Sequence, residues 1–481
     1  MALQRLMGKC NIGTSCYLDD STLLRATIST DQINKAKRNI VESAAGLLSN
    51  AEKSEKLKKE PMPETGDKIK KYSQSIKHQK AQDLLSGQTI LDDTISQVKP
   101  LEMKSSLKEL FNNLSTVNNP RITELKSAFE AIKKGSQESL SPHKGDINVF
   151  KGRQKEELTK IRSELQNIFH TEMQRLTREL KCRSIRCILF DLGDTLWTSV
   201  NEASSNETEQ NVNQRAIDFL SQSLTLEQQT MVKASYDDKS LRKAIHDKIY
   251  ELIRLHPEVE PKPVVAVRET LQELGLPSLN DHICEDLFEA LRIRITESRV
   301  LFDETRSTLE ELRRRGFLLG VVSNRPWGGE PFLEDLQQLG LLKYFDPRHI
   351  AVSADLGVRK PSPNIFLHVI NAIEVKPEET VMVGDSLYAD IYAKIKLKGM
   401  STVWLPNPKR MQGLKTKDII SKNTTHDQPF DEINPHQLSL YLNSARKYEN
   451  EHYRVKFKPA LPDATIMRVS DLLDILQRAG D

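Results

Sequence analysis

Five polar residues in this 481-residue chain stand at or just past the ends of short apolar runs. Asp191 closes the run 185–190, Ser323 closes 317–322, Lys360 lies just beyond 350–352, and Asp385 follows 381–384 with Asp390 close behind it. Together they offer an anionic nucleophile, a hydroxyl donor, a cation and a second group of carboxylates. That set matches what Mg²⁺-assisted attack on a phosphoryl group requires. Mg²⁺ takes hard oxygen ligands, usually one or two carboxylates plus substrate oxygen and water. By neutralising phosphate charge it lets a carboxylate approach an anion that would otherwise repel it. Taken singly, each residue has an ordinary explanation: Ser323 a strand-end cap, Lys360 a surface charge, Asp385 and Asp390 acids at a helix N-terminus. Recurrence at successive strand ends is what points to chemistry.

For those ends to converge, the strands must be parallel, because a parallel sheet brings its carboxyl ends to one edge and the ligand crevice lies outside that edge. The sequence from Ile185 onward has the alternation this demands. Apolar runs at 185–190, 317–322, 350–352, 381–383 and 402–405 are separated by helical patterns at 304–315, 331–339 and around Ile365, Phe366, Val369 and Ile370, with Gly316 and Gly340 as stops. This predicts an α/β fold with a doubly wound, parallel-sheet, Rossmann-like core over residues 185–197, 297–406 and 461–481. Residues 198–296 read as an inserted helical cap. Residues 407–460, rich in Asn, Lys, Thr and Pro with one helix at 436–446, read as a surface insertion before a last strand and helix.

The first 184 residues are a different material. They hold 32 Lys+Arg against 23 Asp+Glu, or +9, which leaves 38 against 44, or −6, for the rest, and all three tryptophans (Trp197, Trp327, Trp404) lie beyond them. The whole chain has only 38% hydrophobic residues and a mean hydropathy of −0.51, and because that shortfall is not evenly spread this part is expected to be mostly helical and partly disordered. An amphipathic pattern at 31–59 precedes a linker around Pro61, Pro63 and Gly66. The strongest helix carries Leu158, Ile161, Leu165, Ile168, Phe169, Met173, Leu176 and Leu180 at steps of three and four. That stripe suits either a coiled-coil-like arm for self-association or a protein partner, or an extension packed on the domain behind it. Nucleic-acid binding is not expected, because the lysines are interspersed with acids and few aromatic faces accompany them. Five cysteines without metal-ligand spacing suggest a reducing, cytoplasmic setting, and no run approaches the length of a membrane span.

The motifs Phe190-Asp-Leu-Gly-Asp-Thr-Leu196, Gly320-Val-Val-Ser-Asn324, Gly357-Val-Arg-Lys-Pro-Ser-Pro-Asn-Ile-Phe366 and Val383-Gly-Asp-Ser-Leu-Tyr-Ala-Asp390 fall in order. In this the chain resembles the haloacid dehalogenase superfamily, specifically phosphatase-like members with a helical cap between the first and second motifs. The resemblance implies that Asp191 is the nucleophile and forms an aspartyl-phosphate. It implies that Ser323 binds a phosphoryl oxygen and that Lys360 holds nucleophile and phosphate together. It further implies Mg²⁺ on Asp191, the Gly193 backbone carbonyl and Asp385, with Asp390 as a further acid, and a small phosphorylated metabolite as substrate. Asn324, Arg325, Trp197 and Trp327 are candidate pocket residues. One departure stands out: the family's usual general acid, two residues after the nucleophile, is here Gly193, and an aspartate follows one place later as Asp194. A displaced acid, a dehalogenase that needs no acid, or a weakly catalytic scaffold would each fit that change.

Overall fold

The computed structural model describes residues 106–138, 144–200, 202–227, 230, 241–273, 275, 279–410, 435–457 and 460–477. The amphipathic pattern at 31–59 and the linker after it lie outside these residues. The sheet is built around β1 (Cys187–Phe190), a strand with no polar residue and no exposed face, as a central parallel strand requires. It pairs in parallel with β4 (Leu318–Ser323) and β6 (Thr380–Gly384). The six-stranded order is β5-β4-β1-β6-β7-β8, with β5 at Ile350–Val352, β7 at Ser401–Trp404 and β8 at Ala464–Thr465. Every pairing in this sheet is parallel.

Strand alternation sorts β1 between two cores. Ile188 and Phe190 pack with Leu309 and Leu312 of one helix (Thr305–Arg314) and Phe332 and Leu336 of another (Gly329–Gln338). Cys187 and Leu189 face the other way, against Ile365, Phe366, Val369 and Ile370 of the helix Pro363–Ile373. Helices therefore cover both faces, as the alternating sequence predicts.

Further helices, in chain order, are α1 (Pro120–Glu138), α2 (Lys144–Lys181), α3 (Glu202–Ser223), α4 (Leu241–Leu255), α5 (Pro263–Glu273) and α6 (Asp281–Ala290). Helices α3 to α6 form a separate small core. Leu241, Ile245, Ile249 and Ile253 of α4, spaced four apart, pack there with Val267, Leu271, Leu287 and Phe288. The chain leaves for this insert and returns through a ribbon the sequence reading did not anticipate: β2 (Trp197–Ser199) antiparallel to β3 (Arg299–Leu301).

The stripe on α2 is covered within the chain. Leu158, Ile161, Leu165, Phe169 and Met173 pack with Leu125 and Phe129 of α1 and with Leu438, Tyr441 and Leu442 of the helix Pro435–Tyr453. For residues 435–453 this departs from the reading of a surface insertion, because the helix carries buried Leu438, Tyr441, Leu442, Ala445 and Glu449. Its apolar positions recur at steps of three and four, a pattern that the polar sequence around them masks.

Candidate active site

Register explains why the motifs meet. Phe190 lies level with Val321 of β4 and Val383 of β6, so Asp191 is level with Val322 and Gly384, and Ser323 and Asp385 stand one residue higher on their strands. The Asp191 backbone N–H donates to the Val383 carbonyl at 2.9 Å, so the nucleophile candidate is still tied to the sheet where the strand ends.

Lys360 reaches the same edge from the loop after β5. Asn324 fixes its backbone reciprocally: the Asn324 side-chain amide donates to the Lys360 carbonyl at 3.1 Å, and its oxygen accepts from the Lys360 N–H at 2.8 Å. Thus Asn324, expected in the pocket, clamps the loop that carries the cation. The Lys360 ammonium lies 2.7 Å from Asp191 Oδ1 and 2.7 Å from Asp390 Oδ1. Burial alone would lower the ammonium pKa, but the two carboxylates raise it.

Asp385 and Asp390 are both buried, and one ligand oxygen from each of Asp191, Asp385 and Asp390 lies within 4.8 Å of the others. Burial pushes the Asp385 carboxyl up to about 7 and that of Asp390 up to about 6. Neighbouring acids add to this, while Arg410 and Lys360 respectively oppose it. Asp390 Oδ2 accepts from the Ser386 N–H at 3.0 Å, whereas its Oδ1 is sealed from solvent and faces the Lys360 ammonium. Gly384 makes room for this carboxyl, since a Cβ there would fall 2.2 Å from Asp390 Oδ2.

The end of β7 supplies residues that sequence reasoning missed. Asn407 Nδ2 donates to Asp385 Oδ2 at 2.9 Å, and Arg410 Nε lies 3.0 Å from the same oxygen. Glu449, fully buried, holds Arg410 at 3.0 Å and also accepts from the backbone N–H groups of Leu387 and Tyr388, at 3.0 and 2.6 Å. Trp404 Nε1 donates to the Asp385 carbonyl at 2.9 Å. The available signal was topological: β7 is another parallel strand, so the residues just past it face the same edge as Asp191.

Asp194, at φ 53°, is turned to accept from Thr198 Oγ1 and Lys409 Nζ, each at 3.0 Å. Burial would raise its pKa, but the Lys409 ammonium with the Thr198 and Asn407 hydrogen bonds brings it below the ordinary value. An acid so held is ionised at neutral pH. Ser323 sits buried at the end of β4. Trp197 does not line the site: it is 1% exposed and belongs to the core with Leu196 and Ile295, because β2 turns it inward. Arg325 and Trp327 follow β4 in the loop that faces the insert, and Trp327 stacks on Phe288 of α6 with centroids 4.4 Å apart.

The three acids fit a hard divalent cation. They are oxygen donors only, they crowd one another, and Asp385 and Asp390 are buried.

Comparison with known proteins agrees with this geometry. A family model for haloacid dehalogenase-like hydrolases matches residues 185–393. The glyceraldehyde 3-phosphate phosphatase of Pyrococcus furiosus is 42% identical over 101 residues, 21% of this chain and 39% of that protein. The Methanopyrus kandleri protein of the same name is 28% identical over 266 residues, 53% of this chain and 95% of that protein. The phosphoserine phosphatase of Thermus thermophilus is 32% identical over 154 residues, 31% of this chain and 55% of that protein. The chain thus spans about half or less of the length of two of these three relatives.

Proposed function

From the match of residues 185–393 to the family model of the haloacid dehalogenase-like hydrolases, we propose that the chain is a Mg²⁺-dependent phosphatase that removes phosphate from a small phosphomonoester. The observation that carries this reading is the Lys360 ammonium seated 2.7 Å from both Asp191 and Asp390, beside three carboxylates whose oxygens lie within 4.8 Å of one another. The phosphatase names of the relatives support it. So does the acid set, which halide displacement without a metal would not require.

In this reading Asp191, the Gly193 carbonyl and Asp385 hold Mg²⁺, with Asp390 beside them, and the ion supplies neutralisation of phosphate charge. The free oxygen of Asp191 attacks phosphorus, the bond from phosphorus to the ester oxygen breaks, and an aspartyl-phosphate forms. Lys360 positions Asp191 and offsets the charge that gathers on the phosphoryl oxygens, and the Ser323 hydroxyl donates to one of them. Asp194, ionised by its ion pair, is better placed to hold the Lys409 ammonium than to give up a proton. The leaving oxygen takes its proton from solvent water, and a second water then attacks the aspartyl-phosphate and releases inorganic phosphate and the free Asp191 carboxylate.

Phosphate release from 4-nitrophenyl phosphate, measured with and without Mg²⁺, tests the reading. Release that needs Mg²⁺, with phosphorylated Asp191 recovered by mass spectrometry after an acid quench, is the expected result. No release across a broad panel of phosphate esters would leave a scaffold domain instead. A protein partner or a second copy, expected for the helical amino-terminal region, would have to use surface other than the covered stripe of α2.

A further inference from the structure

The loop after β4 and the return from the insert bring arginines together where the insert meets the core. Arg242 on α4, Arg292 after α6, Arg299 on β3 and Arg325 after β4 act on one another electrostatically. Arg325 is pushed down to about 10 by burial and by Arg299 and Arg292, and Arg242 is lowered by burial and by Arg299. Two of the four have acidic partners: Arg242 lies 4.0 Å from Glu209, and Arg292 lies 3.6 Å from Asp335 and 3.8 Å from Glu289. The other two have no carboxylate partner among the described residues. Among the described residues Arg299 donates to the Ser298 carbonyl alone, at 2.8 Å. Arg325 places its guanidinium 4.9 Å over the Phe332 ring, and its Nε is sealed from solvent with no acceptor.

The Arg325 backbone, by contrast, is held firmly. Its N–H donates to Ser353 Oγ at 2.8 Å, and that hydroxyl donates back to the Arg325 carbonyl at 3.2 Å. Beside it the Trp327 indole is fixed by its stack on Phe288, with Arg242 5.9 Å from the ring centroid, yet its Nε1 is also sealed and without an acceptor. Donors left unpaired in a place that excludes water are costly, and a folded chain tolerates them where something else supplies the acceptor. The acceptor here must be an anion. Two guanidiniums offer forked donor pairs that match carboxylate or phosphate oxygens, and the indole adds one more N–H. Arg325 directly follows Asn324, which clamps the Lys360 backbone at 3.1 and 2.8 Å, and Lys360 lies 2.7 Å from Asp191, so this wall adjoins the reacting group.

We propose that Arg325, Arg299 and the Trp327 N–H form a subsite for a second anionic group, a carboxylate or a phosphate, on the organic part of the substrate. The proposal rests on the phosphatase reading above and narrows it to phosphomonoesters that carry another negative charge away from the scissile phosphate. A neutral alcohol portion would leave these donors unpaired, so discrimination against it should be strong.

The test compares kcat/KM for substrates matched except for the second charge: 3-phosphoglycerate with glycerol 3-phosphate, 6-phosphogluconate with sorbitol 6-phosphate, and fructose 1,6-bisphosphate with fructose 6-phosphate. The first two pairs report on a carboxylate and the third on a phosphate. Wild type is expected to favour the doubly anionic member of at least one pair by about 10–100-fold, the range for charge-assisted bonds. Arg325→Met should collapse that ratio at least tenfold, Arg325→Lys should keep part of it, and Trp327→Phe, which keeps the ring and loses the N–H, should lower it to a smaller extent. Arg299→Met gives an independent reading should Arg325→Met fail to fold. No preference in any pair, or a preference that survives both Met substitutions, overturns the proposal. If no ester turns over at all, the phosphatase reading fails. Calorimetric titration with 3-phosphoglycerate and with fructose 1,6-bisphosphate then judges the subsite alone: binding lost in Arg325→Met upholds it, and no binding of either compound to wild type refutes it.

Discussion

The two sides of this site treat charge in opposite ways. At the acid side each charge has a partner inside the chain: Lys360 lies between Asp191 and Asp390, Asp385 faces Arg410, Arg410 also faces Glu449, and Asp194 faces Lys409. At the arginine side Arg325 and Arg299 pair with no carboxylate among the described residues, and among them the Trp327 indole N–H has no acceptor. A group that is the same in every substrate, the phosphoryl, can be met by charges fixed in advance, and preorganised charge is the larger part of electrostatic catalysis. The part of the substrate that differs from enzyme to enzyme needs donors kept open for it. Pairing therefore marks the shared chemistry and its absence marks specificity.

The largest effect should come from breaking the paired side at its centre. Asp191→Asn keeps the shape and removes the nucleophile, and a loss of turnover on the order of 10⁴–10⁶-fold is expected, as for other nucleophiles that act within a coupled group. A loss below about tenfold on 4-nitrophenyl phosphate would show that another residue attacks. Lys360→Met should cost roughly 10²–10³-fold in kcat, the range for losing one preorganised donor. It should also destabilise the fold by about 3–5 kcal/mol at neutral pH, because two crowded carboxylates lose a buried counter-ion. Denaturant unfolding checks the second number, and an unchanged midpoint would mean that the acids are not held by Lys360 as the 2.7 Å contacts indicate. On the arginine side the sign should reverse: Arg325→Met, which removes an unpaired charge, should not lower the melting temperature.

The two sides were also unequally legible in the sequence. Asp191, Ser323, Lys360, Asp385 and Asp390 each follow an apolar run, so a local pattern announced them, and the parallel sheet brought them together as that pattern requires. Asn407, Lys409 and Arg410 also stand just past an apolar run, 402–405, but the polar sequence that begins there hid that sign, and Glu449 carried none. They lie in a polar stretch that resembles a surface insertion, and Glu449 meets Arg410 across 39 residues, a separation no periodicity reports. Trp197 failed in the other direction. It stands beside the motif, but the unforeseen β2–β3 ribbon turns its ring into the core. Local pattern locates residues that strands deliver, whereas partners brought by packing become visible only in three dimensions.

A gain of function can sharpen the contrast. A Cβ built on Gly193 meets nothing within 4 Å, so an aspartate fits where the family's general acid usually stands. Gly193→Asp should raise turnover of alkyl phosphates by about 10–100-fold, toward the lower part of what general acid–base help supplies. It should change 4-nitrophenyl phosphate much less, because that leaving group scarcely needs a proton. Equal changes on both would show that leaving-group protonation does not limit the reaction.

The smallest expected effect concerns pH, and it separates the two sides most cleanly. Burial and the nearby acids raise Asp385 to about 7, against an ordinary value of 3.8. A carboxyl raised on folding binds its proton more tightly in the folded state, so its contribution to stability is fully present below about pH 4 and is lost as pH rises through about 7. Without Mg²⁺ the melting temperature of wild type should therefore fall, relative to Asp385→Asn, between about pH 5 and 7.5, by a few degrees. Mg²⁺ binds the ionised form, so the stabilisation it gives wild type should grow over the same interval and be largely absent in Asp385→Asn. Arg325→Met should leave this pH profile in place, since its effect lies on substrate choice. A profile that moved with Arg325 as much as with Asp385 would mean that the two sides share one electrostatic unit, and the division between paired chemistry and open recognition would not hold.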